Sequence, residues 1–193
     1  MNFYSDVIIN DILDHAPLDE LTDSLQGFMR QCRYVLTKYS ASTIHHNYTS
    51  NVINDPRKIV AFHCLDQEFC IGNCPSILMY RKCVHKTKSE IRYYVLFTCT
   101  KKSFRGMGYA SKLFDGFLER VREEKQQHPD HSVKIILSSL ESSVLFYESY
   151  GFRWTRECIS KYPVLLEYEK YQEGKESFIL VLEPTVPVKP PSR

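Results

Sequence analysis

Tyr93-Tyr94-Val95-Leu96-Phe97-Thr98-Cys99-Thr100-Lys101-Lys102-Ser103-Phe104-Arg105-Gly106-Met107-Gly108-Tyr109-Ala110 is the stretch on which the reading of this 193-residue chain turns. Tyr93 to Thr100 are aromatic, aliphatic or β-branched almost throughout and read as a strand. A short polar loop follows. Beyond it Ala110, Leu113, Phe114, Phe117, Leu118 and Val121 recur at helical spacing and form one apolar face. The first turn of a helix leaves backbone N–H groups without partners, and the aligned peptide dipoles place partial positive charge there, so such a turn can hold an anion. Gly106 and Gly108 remove the side chains that would keep an anion from those donors. The expected unit is a strand feeding an open, glycine-bearing helix mouth.

The residues around the turn fit neither G-x-x-x-x-G-K-[ST] nor G-x-G-x-x-G. Arg105, Gly108 and Ala110 do match [Q/R]-x-x-G-x-[G/A], and Phe146-Tyr147-Glu148-Ser149-Tyr150-Gly151-Phe152 matches F-Y-x-x-x-G-F downstream. In this order the two motifs resemble the GNAT superfamily of acyl-CoA-dependent N-acyltransferases, over Lys58 to Trp154 and on to Leu182. The resemblance implies an α/β fold with a GNAT-type mixed, largely antiparallel central sheet, a splayed strand pair and flanking helices, the thioester entering the wedge between the splayed strands. It implies acetyl-CoA as cosubstrate. The pyrophosphate suits the backbone N–H groups of Gly106, Met107, Gly108, Tyr109, Ala110 and Ser111, with Arg105 adding charge, and the pantetheine amides would pair with the backbone of Thr98, Cys99 and Thr100. Tyr147 matches the tyrosine that reaches the sulfur in that superfamily, which makes it the expected proton donor. In one departure, Leu140 stands where members often carry asparagine, so a side-chain contact to the pantetheine arm is not expected there.

Length and composition fit one domain, residues 1–183, which the resemblance implies is a GNAT-like acyltransferase domain, followed by a proline-rich tail, residues 184–193. A hydrophobic content of 43% argues against general disorder, and a net charge of +2 is too balanced to suggest nucleic acid. Seven scattered cysteines, with no CxxC pair, no signal peptide and no apolar run of membrane-spanning length, suggest a reducing, cytoplasmic setting with no membrane partner. Their spacing, with His63 and His85, matches no usual zinc knuckle, so they read as free thiols and no metal is expected.

Along the chain, Phe3 to Ile9 suggests a first strand and Leu18 to Leu36 an amphipathic helix. Ser40 to Asn54, with His45-His46 at its centre, reads as a loop or short broken helix. Lys58 to Leu65, Ser76 to Lys86 and Glu90 to Thr100 read as strands, the last two an antiparallel pair around a polar turn; Gly72-Asn73-Cys74-Pro75 reads as a turn. Val133 to Leu137 is a short buried-type strand, and Ser138-Ser139-Leu140-Glu141 has the spacing of a capping box that starts a helix to about Tyr150, closed by Gly151. Phe152 to Ile159 and Ser177 to Leu182 read as strands joined by an acidic connection through Glu167, Glu169 and Glu173.

Aminolysis of a thioester needs an uncharged amine, and a lysine-type amine has a pKa of about 10.4, so a base or a desolvating pocket must strip its proton. Glu90, His63, His85, Glu68 or a water relayed from one of them are the open alternatives for that base. The expected partner is an amine-bearing small molecule or peptide; the acidic residues Glu167, Glu169, Glu173 and Glu176 could attract it or could be a solvated hairpin tip. A non-catalytic acyl-CoA-binding module is the alternative function. The oligomeric state does not follow from the sequence.

Overall fold

The structure, a computed structural model, describes residues 4–5, 48, 51–52, 55, 57–64, 75–169 and 177–185. The expected helix over Leu18 to Leu36, the His45-His46 loop, most of the Gly72 to Pro75 turn, the acidic stretch from Glu173 to Glu176 and nearly all of the tail lie outside the described residues. In chain order the strands are β1 (Tyr4–Ser5), β2 (Ile59–Cys64), β3 (Ser76–His85), β4 (Glu90–Thr100), β5 (Ser132–Leu140), β6 (Arg153–Trp154) and β7 (Ser177–Leu182). The helices are α1 (Tyr109–Gln127), α2 (Glu141–Glu148) and α3 (Pro163–Glu169).

These strands form a single seven-stranded sheet in the order β1-β2-β3-β4-β5-β7-β6. Every neighbouring pair is antiparallel except β4 with β5, which run parallel because α1 carries the chain back between them. The β3–β4 hairpin closes through a 3-10 turn at Lys86–Lys88 and a left-handed Ser89 at φ 46. β3 and β4 are the strands expected from the sequence, within a residue.

Leu113, Phe114, Phe117, Leu118 and Val121 of α1 are buried. They pack on the sheet face that presents Leu78, Tyr80, Ile91, Tyr93, Val95, Val133, Ile135, Leu137 and Leu180. Ile77, Met79, Tyr94, Ile136 and Ile179 alternate with these residues, are also buried, and face the other way. On that second side α3 packs against β4. The central strands are therefore apolar on both faces, which is why their alternation looked only partial in the sequence.

Three sequence expectations are corrected. β5 does not stop at Leu137: Ser138, Ser139 and Leu140 pair with Ile179, Phe178 and Ser177 of β7, so the expected capping box does not form, and the N-cap of α2 is Leu140 with no side-chain cap. The expected strand from Phe152 to Ile159 is reduced to Arg153–Trp154, because Arg156 takes a left-handed φ of 57 and breaks it. Part of the expected acidic connection is the helix α3, and Glu167 is not a loose surface acid there. Its carboxylate holds Arg57 at 2.7 Å and Arg81 at 3.1 Å.

Candidate active site

β4 and β5 are hydrogen-bonded in register from Glu90 and Ser132 to Val95 and Leu137, and there the pairing ends. β4 runs on to Thr100 paired with β3 alone, and β5 runs on to Leu140 paired with β7 alone. The parting coincides with a bulge. Met79 opposes Phe97 and Tyr80 opposes Val95, so Leu96 is an extra residue in β4. A bulge bends its strand and increases local twist, which turns the end of β4 away from β5. It also shifts the alternation of side chains by one. Tyr93 and Val95 face α1, and beyond the bulge it is Thr98, opposite Leu78, that shares their face. Phe97 and Cys99 face the other way. The fifth strand has no such irregularity, so Ser138 points with Ile136 and Ile179 to the face away from α1.

The helix mouth lies beyond the open end of β4. Lys102–Phe104 form one 3-10 turn, and Gly106 and Gly108 then adopt φ 79 and φ 78, a region that residues with a side chain rarely enter. A Cβ at either glycine would meet nothing within 4 Å, so the space above the turn is open. Gly108 is the N-cap of α1 and offers no side chain to cap it. Arg105 is exposed and donates from Nε to the carbonyl of Thr100 at 3.3 Å, which ties the turn back to the end of β4.

Tyr147 stands in the last turn of α2, on the α1 side of the sheet. Gly151, left-handed at φ 89, ends that helix: the N–H of Phe152 donates to the carbonyl of Tyr147 and that of Gly151 to the carbonyl of Glu148, a Schellman closure. Phe114 holds α2 in place. Its ring meets those of Phe146, Tyr147, Tyr150 and Phe152 at centroid distances of 5.8, 5.7, 4.8 and 5.9 Å. Tyr147 is 8% exposed. Burial raises its phenol above the ordinary tyrosine value, and the neighbouring Thr98 hydroxyl offsets this slightly. That hydroxyl stands close to the phenol without meeting hydrogen-bond geometry. Among the described residues, Thr98 Oγ1, Ser138 Oγ and His85 Nε2 are the buried side-chain polar atoms with no hydrogen-bond partner. Two of the three sit where β4 and β5 part.

The family described as "Acetyltransferase (GNAT) domain" matches residues 83–165, which take in β4, α1, β5 and α2. Residues 83–165 thus carry a match to the GNAT acetyltransferase domain. Its fold is similar to that of Tetrahymena GCN5, at TM-score 0.59 and 8% identity over 97% of this chain and 99% of that one. It is similar too to Arabidopsis thaliana NAA60 in complex with a bisubstrate analogue, at TM-score 0.52 and 11% identity over 79% and 92%. Arabidopsis thaliana Naa50 in complex with the bisubstrate analogue CoA-Ac-MVNAL matches at TM-score 0.50 and 16% identity over 84% and 94%. No curated protein matches the chain by sequence.

Around the parted strands, the open alternatives for a base are narrowed by position. Glu90 begins β4, eight residues and so about 26 Å from Thr98 along an extended strand. It is held by Arg92 at 2.7 Å and Lys134 at 3.7 Å. Burial pushes its carboxyl up, but the hydrogen bond and charge of Arg92 outweigh this and leave it below the usual range. His85 opposes Glu90 at the same far end. The side chain of His63 and all of Glu68 lie outside what is described. Cys99 is pushed up to about 11 by burial, against a smaller opposite effect of Arg105, so its thiol stays protonated at neutral pH. No group of His, Cys, Asp and Glu able to hold a metal occurs among the described residues, and no helix among them is long and apolar enough to cross a membrane.

Sequence reasoning missed the bulge at Leu96, because a bulge is a property of the pairing with β3 rather than of β4 alone. It also missed Ser138, read as a helix cap. On the second face of the sheet a polar cluster lies against β4 at the bulge: Tyr48 donates its hydroxyl to the carbonyl of Leu96, and Tyr168 donates to the buried carboxylate of Asp55. Arg57 contacts the same carboxylate at 2.9 Å.

Proposed function

We propose that this protein is an N-acetyltransferase that moves an acetyl group from acetyl-CoA to a primary amine by direct attack while both are bound. The observation that carries the reading is the conjunction of an uncapped helix mouth, an open end of β4 and a buried phenol beside the Thr98 hydroxyl of that open end. The residues fit the cosubstrate. Gly106, Met107, Gly108, Tyr109, Ala110 and Ser111 would hold the pyrophosphate with backbone donors, helped by Arg105. The unpaired edge of Thr98, Cys99 and Thr100 would hold the pantetheine amides, and the partnerless Thr98 hydroxyl is a donor awaiting an acceptor. When bound, acetyl-CoA supplies the activated acyl group.

Tyr147 contributes a hydrogen-bond donor at the leaving sulfur. A phenol above 10 is a weaker acid than a thiol near 8.5, so complete proton transfer would be uphill in water by about 2 kcal/mol. Burial raises the thiol in the same direction and narrows that gap. Donation to the developing thiolate charge, in a site that keeps the phenol protonated, is therefore the role of Tyr147. Cys99 is protonated and faces away from Tyr147, which argues against an acyl-enzyme intermediate through it. The amine must arrive uncharged, since an ammonium nitrogen has no lone pair to attack with.

The alternative, an acyl-CoA-binding module without catalysis, draws support from the splayed ends themselves: Leu96 to Thr100 and Ser138 to Leu140 include no carboxylate or imidazole. An acceptor screen that follows free thiol release from acetyl-CoA decides between the two. Turnover with at least one amine is expected. Micromolar binding of acetyl-CoA with no acetylation of peptides, polyamines or aminoglycosides would replace the enzyme by the module.

A further inference from the structure

The two partnerless hydroxyls at the parting of β4 and β5 face opposite sides of the sheet. Thr98 Oγ1 is on the α1 side, beside Tyr147. Ser138 Oγ belongs to the first β5 residue beyond the last β4 pairing and points with Ile136 and Ile179 to the other side. Its neighbour Ser139 is buried as well, yet its hydroxyl donates to the carbonyl of Leu140 at 2.9 Å. The contrast isolates Ser138. A buried hydroxyl without a partner is a standing loss of stability, which alanine would remove at no cost in volume or backbone fit.

Resting on the acetyltransferase reading, we propose that Ser138 contacts the acceptor amine. With the helix mouth, the Thr98 hydroxyl and Tyr147 all on the α1 side, that side serves the thioester. The second reactant of a direct transfer then has the gap itself and the opposite side, where Ser138 Oγ waits. An uncharged amine donates one N–H to Ser138 Oγ and keeps its lone pair free to form the new N–C bond, as the C–S bond breaks and the electron pair leaves on sulfur; the proton the nitrogen then sheds ends on that sulfur, giving the amide and free thiol. Ser138 thereby orients the nucleophile without taking its proton. The partnerless hydroxyl of the free protein is satisfied only in the complex with amine.

The test compares wild type, Ser138→Ala and Ser138→Thr, using the best acceptor from a panel of alanine-initiated peptides, spermidine and lysine methyl ester. Steady-state kinetics give the amine KM, calorimetry the acetyl-CoA affinity, and thermal melting the Tm. In Ser138→Ala the amine KM is expected to rise about three- to tenfold, the worth of one neutral hydrogen bond, with acetyl-CoA affinity held within about twofold. Its Tm should equal or exceed that of wild type, and Ser138→Thr should keep an amine KM near the wild-type value. An unchanged amine KM, a loss confined to acetyl-CoA affinity, or a clear fall in Tm would each overturn the assignment while leaving the acetyltransferase intact. If wild type binds acetyl-CoA but acetylates no member of the panel, the enzymatic reading falls and Ser138 with it.

Discussion

β4 is two strands in one. From Glu90 to Val95 it is hydrogen-bonded on both sides, Tyr93, Tyr94 and Val95 are buried, and the charges at its start are mated, Glu90 with Arg92 and Lys134. From Leu96 to Thr100 it has a neighbour on one side only, Thr98, Cys99 and Thr100 are half-buried, and one hydroxyl has no partner. The same backbone conformation thus serves opposite ends. Satisfied groups hold the fold together, and unsatisfied ones are left where a ligand can complete them, so stability and activity should respond to different substitutions along one strand.

The strongest way to test that division is at Phe114, the ring that clamps α2 to α1. Phe114→Ala should lower stability by about 3–5 kcal/mol, read from denaturant unfolding, with activity lost only as the folded fraction falls. Tyr147→Phe should do the reverse, cutting kcat by about a hundredfold while moving the Tm little, because the phenol makes no hydrogen bond that meets ordinary geometry in the free protein. The raised phenol pKa has a sign that can be checked. The donor form is the protonated one, and it persists to higher pH than in a free tyrosine, so kcat should show no falling alkaline limb below about pH 10. A limb near neutrality that vanishes in Tyr147→Phe would contradict the burial of that group.

Smaller effects lie at the turn and the open edge. Gly108→Ala forces a side chain into a left-handed backbone and should cost about 1–2 kcal/mol of stability, with weaker acetyl-CoA binding by calorimetry as the mouth distorts. Thr98→Val removes the orphaned hydroxyl and should raise the Tm by about 2–4 °C per kilocalorie recovered, while weakening acetyl-CoA severalfold. A lower Tm in Thr98→Val would blur the distinction between the two halves of β4.

What the sequence disclosed depended on how local the deciding contacts are. β3, β4 and α1 were legible from periodicity, because each buries its apolar residues in a regular pattern of its own. The capping box at Ser138 and Glu141 had the right spacing and still failed. The ladder to β7, a partner some forty residues away, holds Ser138 to Leu140 extended, and local capping cannot compete with it. Helix α3 left a signal that acidic composition masked: Pro163 at the first helical position, then Leu165 and Tyr168 three apart and both buried. The splayed pair came from resemblance to a family rather than from the residues themselves. Nothing local in Val95-Leu96-Phe97 marks the middle residue as surplus; only the count against Met79 and Tyr80 does.

The bulge takes up that surplus residue, so the side chains beyond it face as they would if the residue were absent, while the strand itself is bent. Removing Leu96 would preserve both motifs in full and leave the Thr98 hydroxyl on its own surface, since Phe97 already opposes Met79 and Thr98 opposes Leu78; what would go is the bend that parts the end of β4 from β5. In relatives of this chain, the interval between Val95 and the glycine turn should therefore be under selection for its length, with the identity of the residues that fill it comparatively free.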